Sequence, residues 1–435
     1  MPEVRPFRAL RFSGERRDLS RVIAPPYDVI ESPAEVAGLR ERHPHNVVRL
    51  ILPEDHPGQP DSRYRASREQ LEAWLGEGAL VQDPHPAFYP YRQAYRRNGS
   101  GVAERVGFLG LLRLEPFGRQ VMAHENTLAG PREDRYRLLR EVRVNLSPVF
   151  ALFEDPGGHV RTALEAAMTR PWDARATRGG HDHGHDELWR MDEPEACETV
   201  MRALHGQPLV FADGHHRYES ALRHLAEMRE RGEDPGTAAY CVAFFAPVPQ
   251  PGLSILPTHR VVHGLEAGRF AALEDTLRRF FLVRAAGRWD QPADVERWER
   301  AAPARPGRLL GFARRGDDTL WDLELLPGSA PEALAGLPGP LRDLDVSVLH
   351  EAVLHQALGI GEDALRRQAN LRYLHDAGPA LEQLRIDAQA VFLLRPTPIE
   401  SVFSVARAGL RMPQKSTYFY PKVSTGFVLH RHERK

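Results

Sequence analysis

An α+β fold follows from three observations on the 435-residue sequence. Segments with helical spacing alternate with short β-patterned runs along the whole chain. The stretch from Pro208 to Phe245 reads as strand, turn, helix and strand in succession. A second block of helices and strands starts beyond about residue 265, and the length itself corresponds to two to three domains at about 150 residues each. The expected layout is therefore an extension plus core over 1–265 and a C-terminal α+β domain over 266–435.

In order, Arg63 to Leu80 carries Ala66, Leu71, Trp74 and Leu75 at helical spacing and stops at Gly76 and Gly78. Tyr89 to Tyr95, Arg105 to Leu114 and Gln120 to His124 read as strands, with Asn98-Gly99 turning between the first two. Pro131 to Asn145 is helical, with proline in the first turn and Leu138, Leu139 and Val142 on one face; Ser147-Pro148 ends it and the strand Val149 to Phe153 follows. Leu209 to Ala212 is a short buried strand and Asp213-Gly214 a turn. His215 to Arg231 is a helix with Tyr218, Ala221, Leu222, Leu225 and Met228 on its apolar face, stopped by Gly232, and Tyr240 to Phe245 is the next strand. The second block offers helices at Phe270 to Phe281, Val346 to Leu358 and Ile399 to Leu410. Its strands are Arg308 to Ala313, Leu320 to Leu325 and Ala390 to Leu394, with a Pro/Gly-rich linker from Pro327 to Pro340. A proline-bounded loop, Arg411 to Lys422, precedes a last strand, Gly426 to His430.

Hydrophobic residues at 42% and charged residues at 27% describe a globular chain. The balance of 58 basic and 59 acidic residues gives a net charge of −1, so no overall field draws in nucleic acid or an acidic membrane. Two cysteines, Cys197 and Cys241, are too few for a disulfide framework. The N-terminus has no apolar signal core, and runs such as Tyr240 to Val248 are about half the roughly 20 residues needed to cross a bilayer. The expectation is a cytoplasmic protein whose anion sites are local.

Three loops carry chemistry. In Asp213-Gly214-His215-His216-Arg217 a strand ends and a helix begins, so free backbone N–H groups and the positive end of the helix dipole collect there. Two imidazoles and a guanidinium add donors for a phosphate, while Asp213 orients a histidine or holds a metal ion. The same residues would also serve as a plain N-cap with locally satisfied histidines. In His124-Glu125-Asn126-Thr127 a carboxylate at a strand end suits a general base, or a solvated loop acid. It is not a zincin, because Leu128 stands where H-E-x-x-H requires histidine. Lys415-Ser416-Thr417 mimics the tail of a P-loop, but Gln414 replaces the essential glycine. What remains is an ammonium, two hydroxyls and the closely following Lys422, in a loop stiffened by Pro413 and Pro421, or an aromatic loop packing Tyr418, Phe419 and Tyr420.

Lesser features are the run His181 to Glu187, read as a solvated loop rather than a metal site, and the stiff Ala24-Pro25-Pro26-Tyr27-Asp28-Val29, whose Tyr27 suits a pocket wall. Thr258-His259-Arg260 offers further anion donors or a core-edge ion pair.

Taken in this order, the three loops resemble the free serine kinases of the ParB/sulfiredoxin-like fold. In that family an H-E pair supplies the catalytic glutamate, a D-G-H-H-R turn holds the donor's phosphates and a late P-K-T-T-like loop helps form the amino-acid site. From Ala24 to the M-P-x-K-S-T-x-F-x-P-K stretch starting at Met412, the chain also looks like the bacterial family called domain of unknown function 1015. The resemblance implies a ParB/sulfiredoxin-like mixed-sheet core with a long insert, and phosphoryl transfer from ADP or ATP to free serine or a similar small acceptor. Glu125, assisted by His124 and Asp213, would take the hydroxyl proton. Gly214, His215, His216 and Arg217 would hold the nucleotide, and Asp213 would hold Mg²⁺. Lys415, Ser416, Thr417, Thr127 and Tyr27 would contact the acceptor, all in one pocket. The sequence departs from that family in a long N-terminal extension, in the insert between Glu125 and Asp213, and in the wording Gln414-Lys415-Ser416-Thr417. A DNA-partition role lacks a basic helix-turn-helix block, and a sulfiredoxin role lacks a cysteine in the phosphate turn. A nucleotide-binding regulator and a phosphohydrolase remain as rivals.

Overall fold

The computed structural model describes residues 2–433 apart from 15–16, 31, 97–100, 119, 127–128, 179–183, 272, 362–363 and 366–368. The expected turn at Asn98-Gly99, the residue Thr127 and the histidines His181 and His183 lie outside the described residues. Two units make up the chain. One comprises Met1–Ala123, Thr127–Ser254 and Pro421–Lys435; the other comprises His124–Asn126 and Ile255–Tyr420. The division falls before residue 265 because His259–His263 pairs with Ala388–Leu393 and Leu371–Leu374, which are strands of the second unit.

The first unit is built on a 10-stranded mixed sheet. Tyr89–Arg96 pairs antiparallel with Val102–Arg113, which pairs antiparallel with Tyr240–Val248. Tyr240–Val248 runs parallel to Val149–Glu154, and Val149–Glu154 antiparallel to Leu209–Asp213. The inner strands Val149–Glu154 and Tyr240–Val248 are buried at almost every position, as their continuous apolar runs require of strands covered on both faces. The helix His215–Glu230 lays Tyr218, Ala221, Leu225 and Met228 into the interior, the face its spacing marks out. An earlier helix spans Ala129–Val142 and stops sooner than the sequence suggests, because Val144–Asn145 becomes a strand paired with His430–Arg431.

One sequence reading is corrected here. Gly184–Leu188, within the run taken as a solvated loop, is a strand lying between Ala174–Arg178 and Tyr89–Arg96. Its Asp186 is fully buried and accepts hydrogen bonds from Tyr91 Oη at 2.6 Å and Ser424 Oγ at 2.5 Å, with Arg178 as its charge partner. Long-range partners, invisible in local pattern, turn a polar stretch into sheet.

The last residues of the chain belong to the first unit. Gln93 donates to the Lys422 carbonyl at 3.0 Å and the buried Arg105 donates to the Pro421 carbonyl. Thr425 exchanges backbone hydrogen bonds with Ala24 at 2.9 and 3.1 Å, and Phe427 packs edge-on against Tyr91. These contacts set the position of Lys422. Only His430–Arg431 forms a regular strand where Gly426 to His430 was expected.

The second unit carries a six-stranded antiparallel sheet. Its spatial order is Phe281–Arg288, Asp317–Leu325, Leu309–Arg314, Ala388–Leu393, His259–His263 and Leu371–Leu374. Helices Pro292–Ala301 and Ala377–Ile386 cover one side through Trp298, Leu381 and Leu384. The expected helix from Val346 divides into a turn of α-helix, Asp345–Val348, and a π-helical stretch, Leu349–His355. Fold class is thus mixed α+β in both units, and no helix among the described residues is long and apolar enough to cross a membrane.

Close strand packing fixes one glycine. A Cβ on Gly107 would meet the Phe245 carbonyl oxygen at 2.2 Å and the Phe244 ring at 2.6 Å, both backed by the inner sheet. Gly107→Ala is therefore expected to lower stability by about 1–3 kcal/mol through overpacking. Gly378→Ala, in the Ala377–Ile386 helix with nothing within 4 Å of its Cβ, is expected to be neutral or slightly stabilising. Urea unfolding of both variants checks the contrast.

Candidate functional site

In the first unit the sequence-marked turn joins the strand Leu209–Asp213 to the 16-residue helix His215–Glu230. Gly214 stands at the N-cap with φ +84°, and a Cβ there would lie 3.0 Å from the Val149 Cα. Glycine is needed both for the left-handed turn and for the close approach to the neighbouring strand. The helix receives no side-chain cap, so Asp213 is not the plain N-cap its position allowed. Its carboxylate is used otherwise: Oδ1 accepts from Lys422 Nζ at 3.1 Å and Oδ2 from Arg217 Nη2 at 3.0 Å. Arg217 also donates to the Pro148 carbonyl.

This is a largely buried triad, with side chains 11, 12 and 18% exposed for Arg217, Lys422 and Asp213. Burial alone would raise the Asp213 carboxyl; Lys422 and Arg217 overcome it and hold the pKa well below the usual carboxylate range. For Arg217, burial opposes the cation, but Asp213, Asp28 and Tyr27 raise its pKa above the ordinary value. Tyr27, in the short turn Tyr27–Val29, belongs to the same neighbourhood: the Arg135 guanidinium lies 4.2 Å over its ring, and burial followed by Asp28 pushes its phenol up. Two cations therefore share one carboxylate beside an uncapped helix N-terminus, an arrangement that favours an added anion.

The histidines of the turn divide. The His215 ring is buried, 6.0 Å from the Phe117 ring and 5.8 Å from that of Phe211, so its environment is largely aromatic core. His216 is half-buried, and its carbonyl accepts from Ser220 Oγ at 2.7 Å. The expected Mg²⁺ does not fit Asp213, because both carboxylate oxygens are engaged by cations. Among the described residues no group of three His, Cys, Asp or Glu side chains is placed to hold a metal ion. Cys197 and Cys241 are buried and unbridged.

In the second unit His124 and Glu125 are tied to the late loop. Met412 N–H donates to the His124 carbonyl at 2.7 Å, and Glu125 bridges Met412 in parallel. Glu125 Oε1 accepts the Lys415 N–H at 2.5 Å and Oε2 accepts from Thr417 Oγ1 at 3.3 Å. His124 Nε2 lies 2.8 Å from the same Thr417 hydroxyl. Lys415 adopts φ +58°, a conformation uncommon outside glycine, and in it presents its amide to Glu125. Ser416 is buried and donates to the Pro413 carbonyl. Phe419 is core and Tyr418 stacks on His375 at 3.6 Å, so the aromatic packing and the polar groups share one loop.

Of the sequence candidates, Tyr27, Asp213, Gly214, His215, His216 and Arg217 belong to the first unit and His124, Glu125, Lys415, Ser416 and Thr417 to the second. Two further residues emerge. Lys422, which the sequence marks only as a cation closely following the Lys415 loop, completes the Asp213 triad. Arg260, which donates to the Lys415 carbonyl at 3.0 Å, was visible only as one of several possible anion donors.

A family model described as Protein of unknown function (DUF1015) matches residues 4–347. The chain belongs to this DUF1015 family. None of the curated proteins matches it. Several solved structures are distantly similar. A free serine kinase variant in complex with ADP is 11% identical, with a TM-score of 0.35, 71% of this chain and 89% of that one being covered. SbnI with a C-terminal truncation, from Staphylococcus aureus, is 11% identical at a TM-score of 0.37, with 74% and 87% covered. A conserved hypothetical protein from Pyrococcus furiosus is 12% identical at 0.35, with 72% and 92% covered. The DUF1015 assignment itself carries no chemistry, which rests on the residues.

The triad has a pH signature. The Asp213 pKa is depressed on folding, so its contribution to stability is full above the unfolded carboxylate pKa near 4 and is lost as pH falls below it toward the folded value. Asp213→Asn, which leaves Arg217 and Lys422 without their counter-ion, is expected to cost about 3–5 kcal/mol at neutral pH. Its stability should also fall less steeply than wild type below pH 4. Urea unfolding across pH 3–7 reads both effects.

Proposed function

We propose that this DUF1015 protein is a small-molecule phosphotransferase that moves a phosphoryl group from ADP or ATP to the hydroxyl of serine or a similar small metabolite, giving O-phosphoserine or its analogue. The observation that carries the reading is the Arg217–Asp213–Lys422 triad at the uncapped start of the His215–Glu230 helix. Phosphoryl transfer asks chiefly for charge neutralisation and positioning. The helix amides with Arg217 and Lys422 would neutralise the donor's phosphates, and Asp213 keeps both cations in place. Glu125, held by the Lys415 amide and the Thr417 hydroxyl, would accept the acceptor's hydroxyl proton as the oxygen attacks phosphorus. The bond to the departing nucleotide oxygen breaks, and the charge it leaves falls to the cations. His124 acts through Thr417, which it orients, rather than on the substrate. The motif resemblance to free serine kinases supports the same chemistry, and with it a ParB/sulfiredoxin-like reading of the first unit's sheet.

The test is ³¹P NMR of the full chain incubated with ADP or ATP, magnesium and L-serine. A new phosphomonoester that requires serine is the expected product; free phosphate alone would mean a phosphohydrolase, and no product a binding protein without turnover. Glu125→Gln is expected to lower turnover by about 10²–10⁴-fold while leaving nucleotide binding nearly intact. Loss of binding with unchanged turnover would contradict the assignment.

A further inference from the structure

Three imidazoles meet in the first unit, where the segment from His430 to Glu433 closes over the helix His215–Glu230. The His432 ring stacks on that of His224 at 5.9 Å and lies 5.4 Å from that of His430. His224 and His430 are buried, and Phe7 packs edge-on to His430 at 5.7 Å. Both ring nitrogens of His432 are shut off from solvent with no hydrogen-bond partner among the described residues. His430 Nδ1 lies 2.9 Å from Asn145 Oδ1, an amide oxygen and not a carboxylate. Among the described residues no carboxylate lies within ion-pair distance of the three rings.

The charged groups around the cluster give little support to a proton on it. On the helix, Glu227 favours a charged His224, but it already accepts from Tyr136 Oη and from Arg231 at 3.4 Å. Glu233 acts in the same direction, against the guanidinium groups of Arg143 and Arg231. His432 faces Arg143 and the two other imidazoles, all of which disfavour its charged form. Burial is the largest effect at each ring: it pushes His430 down to about 3, His432 well below the ordinary histidine value, and His224 in the same direction. A proton entering the closed cluster would meet neither water nor an uncommitted anion.

The attachments of the segment are short. His432 N–H donates to the Arg143 carbonyl at 2.9 Å, Thr237 N–H donates to the Glu433 carbonyl at 2.9 Å, and Glu433 N–H donates to Thr237 Oγ1 at 2.8 Å. His430–Arg431 adds a two-residue ladder on Val144–Asn145. Such a segment can open while the inner sheet stays folded.

We propose that His224, His430 and His432 form an acid-sensitive clasp, in which neutral imidazoles hold the segment His430 to Glu433 on the helix and protonation releases it. The direction follows from linkage. Folding lowers the three pKa values, so the contribution is full above the unfolded histidine pKa of about 6.5 and is lost as pH falls below it. An imidazole that takes up its proton only in the open form raises the opening equilibrium about 30-fold between pH 7.5 and 5.0. The clasp is independent of the phosphotransferase reading.

The experiment is hydrogen exchange of the full chain at pH 7.5 and 5.0, expressed as protection factors so that the chemical pH dependence of exchange is removed. Protection of the His432 and Glu433 amides is expected to fall by about 30-fold or more, while Val149–Glu154 and Tyr240–Val248 stay protected. His432→Leu gives up no side-chain hydrogen bond, and it is expected to lessen that fall by about 30-fold, one imidazole's share. Unchanged protection at pH 5.0, an equal fall in the variant, or loss of the inner strands in step with the segment would overturn the proposal. Should His432→Leu fail to fold, NMR titration of the wild-type histidine ring protons decides: rings of the cluster that titrate near pH 6.5 with the segment still protected would contradict a clasp, and rings that take up protons only as protection is lost would support it.

Discussion

Asp213 is shared by Arg217 and Lys422, and the first unit's chemistry depends on that sharing. Removing three charges from water is expensive, and the arrangement persists only because each carboxylate oxygen has its own cation. The triad itself holds one more positive than negative charge, with the Asp28 carboxylate also acting on Arg217, beside the start of a long helix that has no side-chain cap. The same interaction ties the end of the chain to the turn, since Lys422 is brought in by Gln93, Arg105 and the exchange between Thr425 and Ala24. Substitutions in the last strand region would therefore be felt at the turn, although the turn itself is unchanged.

In the second unit the organising element is a backbone conformation rather than a charge. Lys415 in the left-handed region directs its N–H to Glu125 and its carbonyl to Arg260, so the acid and the buried guanidinium are both registered to one residue. Thr417 adds a hydroxyl bond to the carboxylate and contacts His124. This explains why a Lys-Ser-Thr sequence without the P-loop glycine is still chemically informative: its value lies in the amide and hydroxyl it offers Glu125, not in wrapping a phosphate.

Local pattern was enough to read the strand, turn and helix around Asp213. The apolar run Leu209 to Ala212, the glycine and the spacing of Tyr218, Ala221, Leu225 and Met228 are all short-range signals, and the structure has the strand Leu209–Asp213 and the helix His215–Glu230 there. What escaped reading depends on distant partners. Asp186 becomes part of a buried strand because Arg178 neutralises it and the Tyr91 and Ser424 hydroxyls donate to it, and Lys422 finds Asp213 across 209 residues of sequence. His215 combines two surroundings: its ring lies near Phe117 and Phe211, while its charge also favours the ionised Asp213. The Asp213 carboxylate likewise reads as a metal ligand until its two cations are seen.

A crystal structure of the full chain with ADP bound would decide the matter at the triad. The terminal phosphate is expected against the first amides of the His215–Glu230 helix and in contact with Arg217 or Lys422, with Asp213 still holding both cations. Nucleotide phosphates bound elsewhere in the molecule, with the start of this helix left to solvent, would contradict the role assigned to the triad.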